Sequence, residues 1–345
     1  MESRLLLIGD LHFRPKDKEI DIIMVKEILD IIEENRPDAV VILGDTLDTH
    51  NIINSGSLTL AVDFFKRIST ITKLIVLIGN HDIKNNQIDL STSSEDHPFT
   101  ALELWENTVL VDKVKEFYIK DHKFCGVPYL PPGKYMNAIK DIDDNTVSAY
   151  FSHQEFNGAF YKPGDSPITD ADEWPDDKKV NFCGHFHEYN RVKNNLIYVG
   201  TPTTTDFGAT DDKALMLVTF KEDYSFSYDR IRLKTVPMRI SYKVEARSSE
   251  LTQVLNSIKS RDSPGIYKVV IYGKSQALST IKKTIQYREL NKLAKITEES
   301  IGTDLVLCKG VSNEVILNGN YEQILKELLK QHPDELDMYV RLFKS

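Results

Sequence analysis

A chain of 345 residues is too long for one average domain and too short for three large ones, so it calls for one domain of about 200 to 250 residues and a smaller appendage. Hydrophobic residues at 41% and charged residues at 28% allow a sizeable core and exclude wholesale disorder, while the longest apolar runs, Ala39–Leu43 and Leu74–Ile78, fall far short of a bilayer span. The formal net charge of −9 argues against a free-standing nucleic-acid binder, because phosphate affinity comes from Lys and Arg.

The first part of the chain alternates strands and helices. Arg4–Ile8 is a short apolar strand running into Gly9-Asp10. Ile20–Glu34 repeats apolar residues at helical spacing, and Ala39–Leu43 is a second buried strand ending at Gly44-Asp45. Ser57–Ile71 reads as a helix, and Leu74–Ile78 as a third strand ending at Gly79-Asn80. Apolar strands alternating with helices imply βαβ units and a sheet covered on both faces. Further strands are expected at Val109–Val111, Lys115–Ile119, Lys123–Val127, Thr146–Ser152, Lys179–Cys183 and Leu196–Val199, with a closing hairpin at Leu215–Phe220 and Ser225–Ile231. The polar stretches Asn85–Pro98 and Lys162–Asp177 read as long loops, and loops of that length are often functional.

A composition shift near Leu233–Pro237 marks a boundary. Residues 1–232 carry 25 Lys and Arg against 39 Asp and Glu, whereas residues 233–345 carry 18 against 13. Beyond the shift, Met238–Ala246 alternates like a strand, and Ser248 starts a helix to about Lys259 with Glu250 in its first turn. Ile266–Tyr272 reads as a strand and Ser275–Glu289 as one helix, followed by two amphipathic helices at Tyr321–Lys330 and Pro333–Phe343. The expected division is a main domain at 1–235, a small α+β domain at 236–312 and a helical element at 313–345. Three widely spaced cysteines (Cys125, Cys183, Cys308) point to a reduced, intracellular protein without a disulfide framework. Leu5–Ile8 is too short for a signal-peptide core, so the expected location is cytoplasmic, with no membrane partner.

Five short motifs stand at the carboxyl ends of expected strands, where open α/β sheets build their sites. They are Asp10-Leu11-His12, Gly44-Asp45, Gly79-Asn80-His81-Asp82, Ser152-His153 and Gly184-His185-Phe186-His187. Five of the nine histidines fall inside them. Imidazoles with carboxylates suit Mn, Fe or Zn, whereas Mg prefers oxygen alone. In an extended segment, residues i and i+2 point the same way, so Asp10 with His12, and His185 with His187, can each present a ligand pair. Asp45 is the natural bridge between two ions, which together would clamp an in-line phosphoryl displacement.

In this order the five blocks resemble the calcineurin-like metallophosphoesterase superfamily over roughly Met1–Tyr198. The resemblance implies a two-sheet α/β sandwich flanked by helices, with a small α+β capping domain and a C-terminal helical element beyond it. It implies two divalent ions, Mn first, with Mg, Fe or Zn open. Asp10, His12, Asp45 and His187 would hold one, and Asp45, Asn80, His153 and His185 the other. His81 would be the unligated acid, with Asp82 orienting its ring.

Within the superfamily, Gly44–Asp48 followed by a helix resembles the nuclease branch. The block Ser152–Gly158, and Tyr198–Pro202 continuing through Asp206-Phe207-Gly208 to Lys213, resemble SbcD, the bacterial and phage counterpart of the meiotic-recombination-eleven nuclease. The eukaryotic branch tends to carry His where Asp48 stands here, which points to the bacterial and phage side. The resemblance implies a metal-dependent DNA exonuclease or endonuclease acting in double-strand-break repair and recombination. Its partners would be DNA and an SbcC-like coiled-coil ATPase, with a homodimer inside a heterotetramer. For a phage- or virus-encoded chain the setting would be the host-cell cytoplasm. The alternative is a stand-alone phosphoesterase acting on small nucleotides or phosphoproteins.

Overall fold

The computed structural model describes residues 1–48, 52–83, 96–210 and 212–301. Two expected helices, 321–330 and 333–343, the element 313–345 that contains them, and most of the loop 85–98 lie outside the described residues. Contacts divide the chain into two compact units. One comprises 1–241 with 260–268; the other comprises 242–259 with the described residues from 269 onward.

The first unit contains two six-stranded sheets. In the first sheet, β1 (Ser3–Ile8), β2 (Ala39–Ile42), β3 (Lys73–Leu77) and β4 (Thr108–Val111) run parallel, joined through α1 (Lys18–Asn35) and α2 (Ser55–Ile71). Strands β11 (Leu215–Phe220) and β12 (Phe226–Ile231) add antiparallel at its other edge, with β11 against β1. The second sheet takes the order β5-β6-β7-β8-β10-β9. Its strands are β5 (Lys115–Ile119), β6 (His122–Val127), β7 (Ala149–His153), β8 (Asn181–Gly184), β9 (Asn190–Lys193) and β10 (Leu196–Tyr198). From β6 through β10 the neighbours are parallel.

Strand alternation sorts the apolar residues into layers. Leu5, Leu7, Val41, Ile75 and Leu77 face Phe124, Phe151, Phe182 and Ile197 in the core between the sheets. Leu6, Ile8, Val40, Ile42 and Val76 pack instead beneath the helices, against Ile28, Ile32, Phe64, Phe65 and Ile68. The outer face of the second sheet buries Cys125, Tyr150, Cys183 and Tyr198 under Trp174, Tyr135 and Phe156. Trp174 shows that the expected 162–177 loop is partly core: it carries no helix or strand, yet its one Trp is 1% exposed.

This is the sandwich expected from the sequence, with two refinements. Strand β9 has the sequence Asn-Arg-Val-Lys, too polar to register as a strand. Strand β7 begins at Ala149 because Thr146 closes a turn, donating its main-chain N–H and its hydroxyl to the Asp143 carbonyl.

The three-stranded sheet contains β13 (Met238–Glu245), β14 (Gly265–Gly273) and β15 (Ala294–Ser300), in that order. Helix α4 (Ser248–Lys259) matches its expected span and buries Leu251, Val254, Leu255 and Ile258. The single helix expected at 275–289 is two, α5 (Ser275–Ile281) and α6 (Ile285–Leu293), after the short α3 (Tyr135–Ala138) of the first unit. The break falls at Thr284, whose extended main chain and hydroxyl cap α6 by accepting the Tyr287 N–H at 3.3 Å. Strand β15, Ala-Lys-Ile-Thr-Glu-Glu-Ser, was not expected, since an edge strand needs no apolar run. Among the described residues no helix is long and apolar enough to cross a membrane.

Candidate metal centre

All five motifs leave the carboxyl ends of parallel strands: β1 and β2 and β3 in one sheet, β7 and β8 in the other. The two sheets therefore deliver their loops to one end of the sandwich. The loops are tied directly to each other, His12 N–H donating to the Asp45 carbonyl at 3.0 Å and Phe13 N–H to the Thr46 carbonyl at 2.9 Å.

The glycines of the motifs make that approach possible. A Cβ on Gly79 would lie 2.2 Å from both the main-chain nitrogen and a carboxylate oxygen of Asp45. Gly44 has φ +95°, and a Cβ there would meet the His153 ring at 2.4 Å. Three of the expected ligands carry the strain themselves. His12, Asp45 and His185 have φ of 47°, 46° and 82°, in the left-handed region that side chains avoid. The expectation of extended chain through these two motifs is therefore corrected: the main chain is left-handed at His12 and at His185.

Asp10, His12, Asp45, Asn80, His81, His153, His185 and His187 all converge. Ligand-capable atoms lie within 4.8 Å of one another in three overlapping groups: Asp10, His12 and His187; His12, Asp45 and His81; Asp45, His153 and His185. In the first region the Nε2 atoms of His12 and His187 are 2.9 Å apart, with His187 Nε2 3.8 Å from Asp10 and His12 Nε2 3.8 Å from Asp45. In the second, Asn80 Oδ1 lies 2.9 Å from His153 Nε2 and 3.0 Å from His185 Nδ1. Asp45 Oδ2 is 3.3 Å from the same His153 nitrogen. Asp45 thus touches both regions.

The outward nitrogens are anchored, so the inward ones are fixed in direction. His153 Nδ1 donates to the Leu43 carbonyl at 2.7 Å, and His185 Nε2 faces Glu155 Oε1 at 3.0 Å. His187 Nδ1 meets the Thr205 hydroxyl at 3.4 Å. Among the described residues buried His12 Nδ1 has no hydrogen-bond partner, with the Asp48 carboxylate 3.6 Å away.

The electrostatics of this cluster suit cations. Burial pushes the Asp10 carboxyl up to about 7, helped by Asp45 and opposed by His153. Burial likewise lowers His12 well below its ordinary value, His187 to about 4, and His185. Burial works against charge on Asp45 and His153 too. Here it is outweighed: their mutual attraction holds Asp45 well below the usual carboxylate range and lifts His153 to about 9. Imidazoles that burial keeps uncharged at His12, His185 and His187, with a carboxylate shared by both regions, form a donor set suited to divalent ions. The residues fit two such ions.

His81 and Asp82 behave differently from each other. The His81 main-chain N–H donates to Asp45 at 2.8 Å, its Nδ1 meets the Asp48 carbonyl at 2.8 Å, and its Nε2 is 3.9 Å from Asp45. Asp82 accepts from the main-chain N–H groups of Gly79, Thr46 and Leu47 at 3.0, 3.3 and 3.0 Å. Asp82 thus ties two loops together, and the Asp48 carbonyl is a contact that orients the His81 ring. Burial beside Asp45 raises Asp82 to about 7.

A cleft of about 260 Å³ opens over the cluster, lined by Asp45, Asn80, His81, His185, His187 and Lys162 among others. Sequence reasoning assigned no part to Glu155, Thr205, Glu188 or Lys213, which hold the centre from behind. Glu155 stood inside a quoted motif, two residues past His153. Its alternation with His153 was the available signal.

Fold and centre together define a metallophosphoesterase. Residues 3–219 match the model of the family described as calcineurin-like phosphoesterase, and the chain belongs to that family. Members are dinuclear, metal-dependent hydrolases of phosphoester bonds. The chain is 34% identical over 293 residues to "Putative phosphoesterase 078R" of Invertebrate iridescent virus 3, covering 83% of this chain and 81% of that one. It is 29% identical over 283 residues to "Putative phosphoesterase 244L" of Invertebrate iridescent virus 6, covering 81% and 97%. A solved structure described as GAP50, the anchor in the inner membrane complex of Plasmodium, is 12% identical with a TM-score of 0.38, covering 68% and 90%.

Proposed function

We propose that this chain is a DNA nuclease subunit of the SbcD type, cleaving phosphodiester bonds at the centre built by Asp10, His12, Asp45, Asn80, His153, His185 and His187. The observation that carries the reading is Asp45 reaching both ligand regions beneath an open cleft. Divalent ions held there supply Lewis acidity at the phosphoryl oxygens and acidify an attacking water. Asp45 holds the two regions in register, and the anchored imidazoles keep their lone pairs turned inward. With its Nδ1–H donated to the Asp48 carbonyl, His81, which lines the cleft, would give a proton to a leaving oxygen through Nε2 as the imidazolium.

The choice of DNA rests on the motif blocks at Ser152–Gly158 and Tyr198–Lys213. The second compact unit supports it, since a hydrolase of small phosphoesters has no need of an added α+β domain. In this reading that unit helps position DNA, and the apolar positions of 321–343 bind an SbcC-like ATPase. The setting is the interior of an infected cell, in keeping with the viral origin of both relatives.

The test compares linear duplex DNA, an aryl phosphodiester and an aryl phosphomonoester with the Mn-loaded protein. Cleavage of DNA and diester, abolished by chelation, supports the reading. Turnover of the monoester with DNA left intact refutes it in favour of a small-substrate phosphatase.

A further inference from the structure

The first compact unit carries a second concavity, an open groove of about 870 Å³. Arg230, Arg232, Lys234 and Arg261 line it, with Asp262 the one carboxylate among its described lining residues. Such a concentration of cations stands out in a chain whose first 232 residues hold 39 acidic against 25 basic side chains.

The wall is built to present these side chains. Leu233 is buried in the main core while Arg232 and Lys234 on either side of it are exposed. The main-chain N–H groups of Lys234 and Thr235 donate to Glu27 at 2.5 and 2.9 Å, fixing the segment on α1 and occupying that carboxylate. Asp212 accepts from Arg230 at 2.7 Å and from Arg232 at 2.9 Å, aligning two guanidinium groups side by side. A guanidinium has five N–H donors, so both keep donors in reserve. Arg230 spends a second donor on the Asp212 main-chain carbonyl at 3.1 Å, and the Arg232 side chain is 63% exposed. Lys234 has no carboxylate within ion-pair distance among the described residues.

The groove lies toward the end of the first sheet from which the motif loops leave, since Arg230 and Ile231 pair with Met216 and Leu215, and Met216 pairs with Leu7 near the carboxyl end of β1. Arg230 stacks on Tyr189 at 4.1 Å, two residues past His187. Asp212 is followed by Lys213, whose ammonium donates to the His187 carbonyl.

We propose that this groove receives the phosphodiester backbone of the DNA strand whose bond lies in the centre. The inference rests on the nuclease reading above. Paired guanidiniums match phosphate oxygens with a fixed fork, and a backbone continuing from a phosphoester-cleaving site supplies phosphates at that spot; an acidic peptide has no reason to begin there.

The test uses the Mn-loaded full chain and the double variant Arg232→Glu/Lys234→Glu. DNA affinity is measured by fluorescence anisotropy across a salt series, and DNA cleavage is expressed relative to hydrolysis of an aryl phosphodiester. Loss of two phosphate contacts should flatten the slope of log affinity against log salt by about 2. The ratio of DNA to diester cleavage should fall at least about tenfold. An unchanged slope with an unchanged ratio overturns the groove and leaves the nuclease reading standing. A parent protein that hydrolyses the diester but neither binds nor cuts DNA overturns both. Retention of polyglutamate in preference to DNA by the parent, lost in the variant, assigns the groove to an acidic peptide and overturns the proposal.

Discussion

Lys213 and Glu188 form an ion pair at 2.9 Å whose side chains are 0% and 4% exposed. The ammonium also donates to the His187 carbonyl at 2.5 Å, an oxygen that accepts the Thr201 N–H at 3.1 Å and approaches the Thr201 hydroxyl at 3.3 Å. Glu188 in turn accepts the Thr210 N–H at 3.0 Å and its hydroxyl. Burial lowers the Lys213 ammonium from its ordinary value, and Glu188 opposes that shift. A buried pair of this kind contributes little net stability, because desolvation offsets the attraction. Its geometric effect is larger: it fixes the main chain on which the His187 imidazole is mounted.

Lys213→Met should therefore cost about 3–5 kcal/mol, since it strands a buried Glu188. Lys213→Met/Glu188→Gln should recover most of that stability, yet bind Mn at least about tenfold more weakly than the parent. Chemical denaturation reads the first effect and calorimetric Mn titration the second. Parent-like Mn affinity in the double variant would show that the pair does nothing for His187.

Glu155 makes a similar case on the other ligand region. Its carboxylate, held below its ordinary range chiefly by the hydrogen bond with His185, sets which nitrogen of that ring turns inward. Glu155→Gln keeps the shape but offers an amide in place of a charged acceptor. Mn affinity should drop about 10–100-fold, as for other partners behind a ligating histidine. Stability without metal should change little, because Glu155 is partly exposed. Equal Mn binding by parent and variant would exclude the role.

The acid–base behaviour of the fold has a separate signature at Asp21. The residue is 5% exposed, its Oδ2 accepts the Arg14 N–H at 3.2 Å, and burial lifts its pKa from 3.8 to about 7. A carboxyl raised in the folded state keeps a proton that the unfolded chain has lost, so this group favours folding below pH about 4 and destabilises progressively up to about 7. Asn mimics the protonated form. Asp21→Asn should raise Tm above neutral pH and leave it nearly unchanged in acid, where both forms are neutral. A Tm difference that is flat with pH would contradict the assignment.

Much of this architecture was legible in the sequence for simple reasons. The parallel strands β1, β2 and β3 are apolar on both faces, so each reads as an uninterrupted run ending in Gly-Asp or Gly-Asn. The candidate ligands could be picked out because they cluster at those ends. What escaped is whatever depends on tertiary contact. Nothing local says that Asp82 would bond three main-chain N–H groups. Nothing local pairs Lys213 with a residue 25 positions before it. The left-handed main chain at His12 and His185 was hidden because neither position carries the Gly or Asn that usually signals it.

His81 is where ligand and acid can be told apart. Its Nε2 lies near Asp45, and the ring centroid is 4.9 Å from that of His12, so position alone would let it share an ion with both. As the proton donor, its loss should cut kcat for DNA about 10²–10⁴-fold while Mn content stays that of the parent. The loss should shrink for a nitrophenyl ester, whose leaving oxygen departs without a proton. Were His81 a ligand, His81→Ala would lose Mn and turn over every substrate equally poorly. Elemental analysis of the purified variant, set beside its rates on DNA and on aryl diesters of graded leaving-group acidity, separates the two. A loss of rate independent of leaving group with full Mn content would rule out proton donation, because only bond breaking to a poor leaving oxygen calls for it.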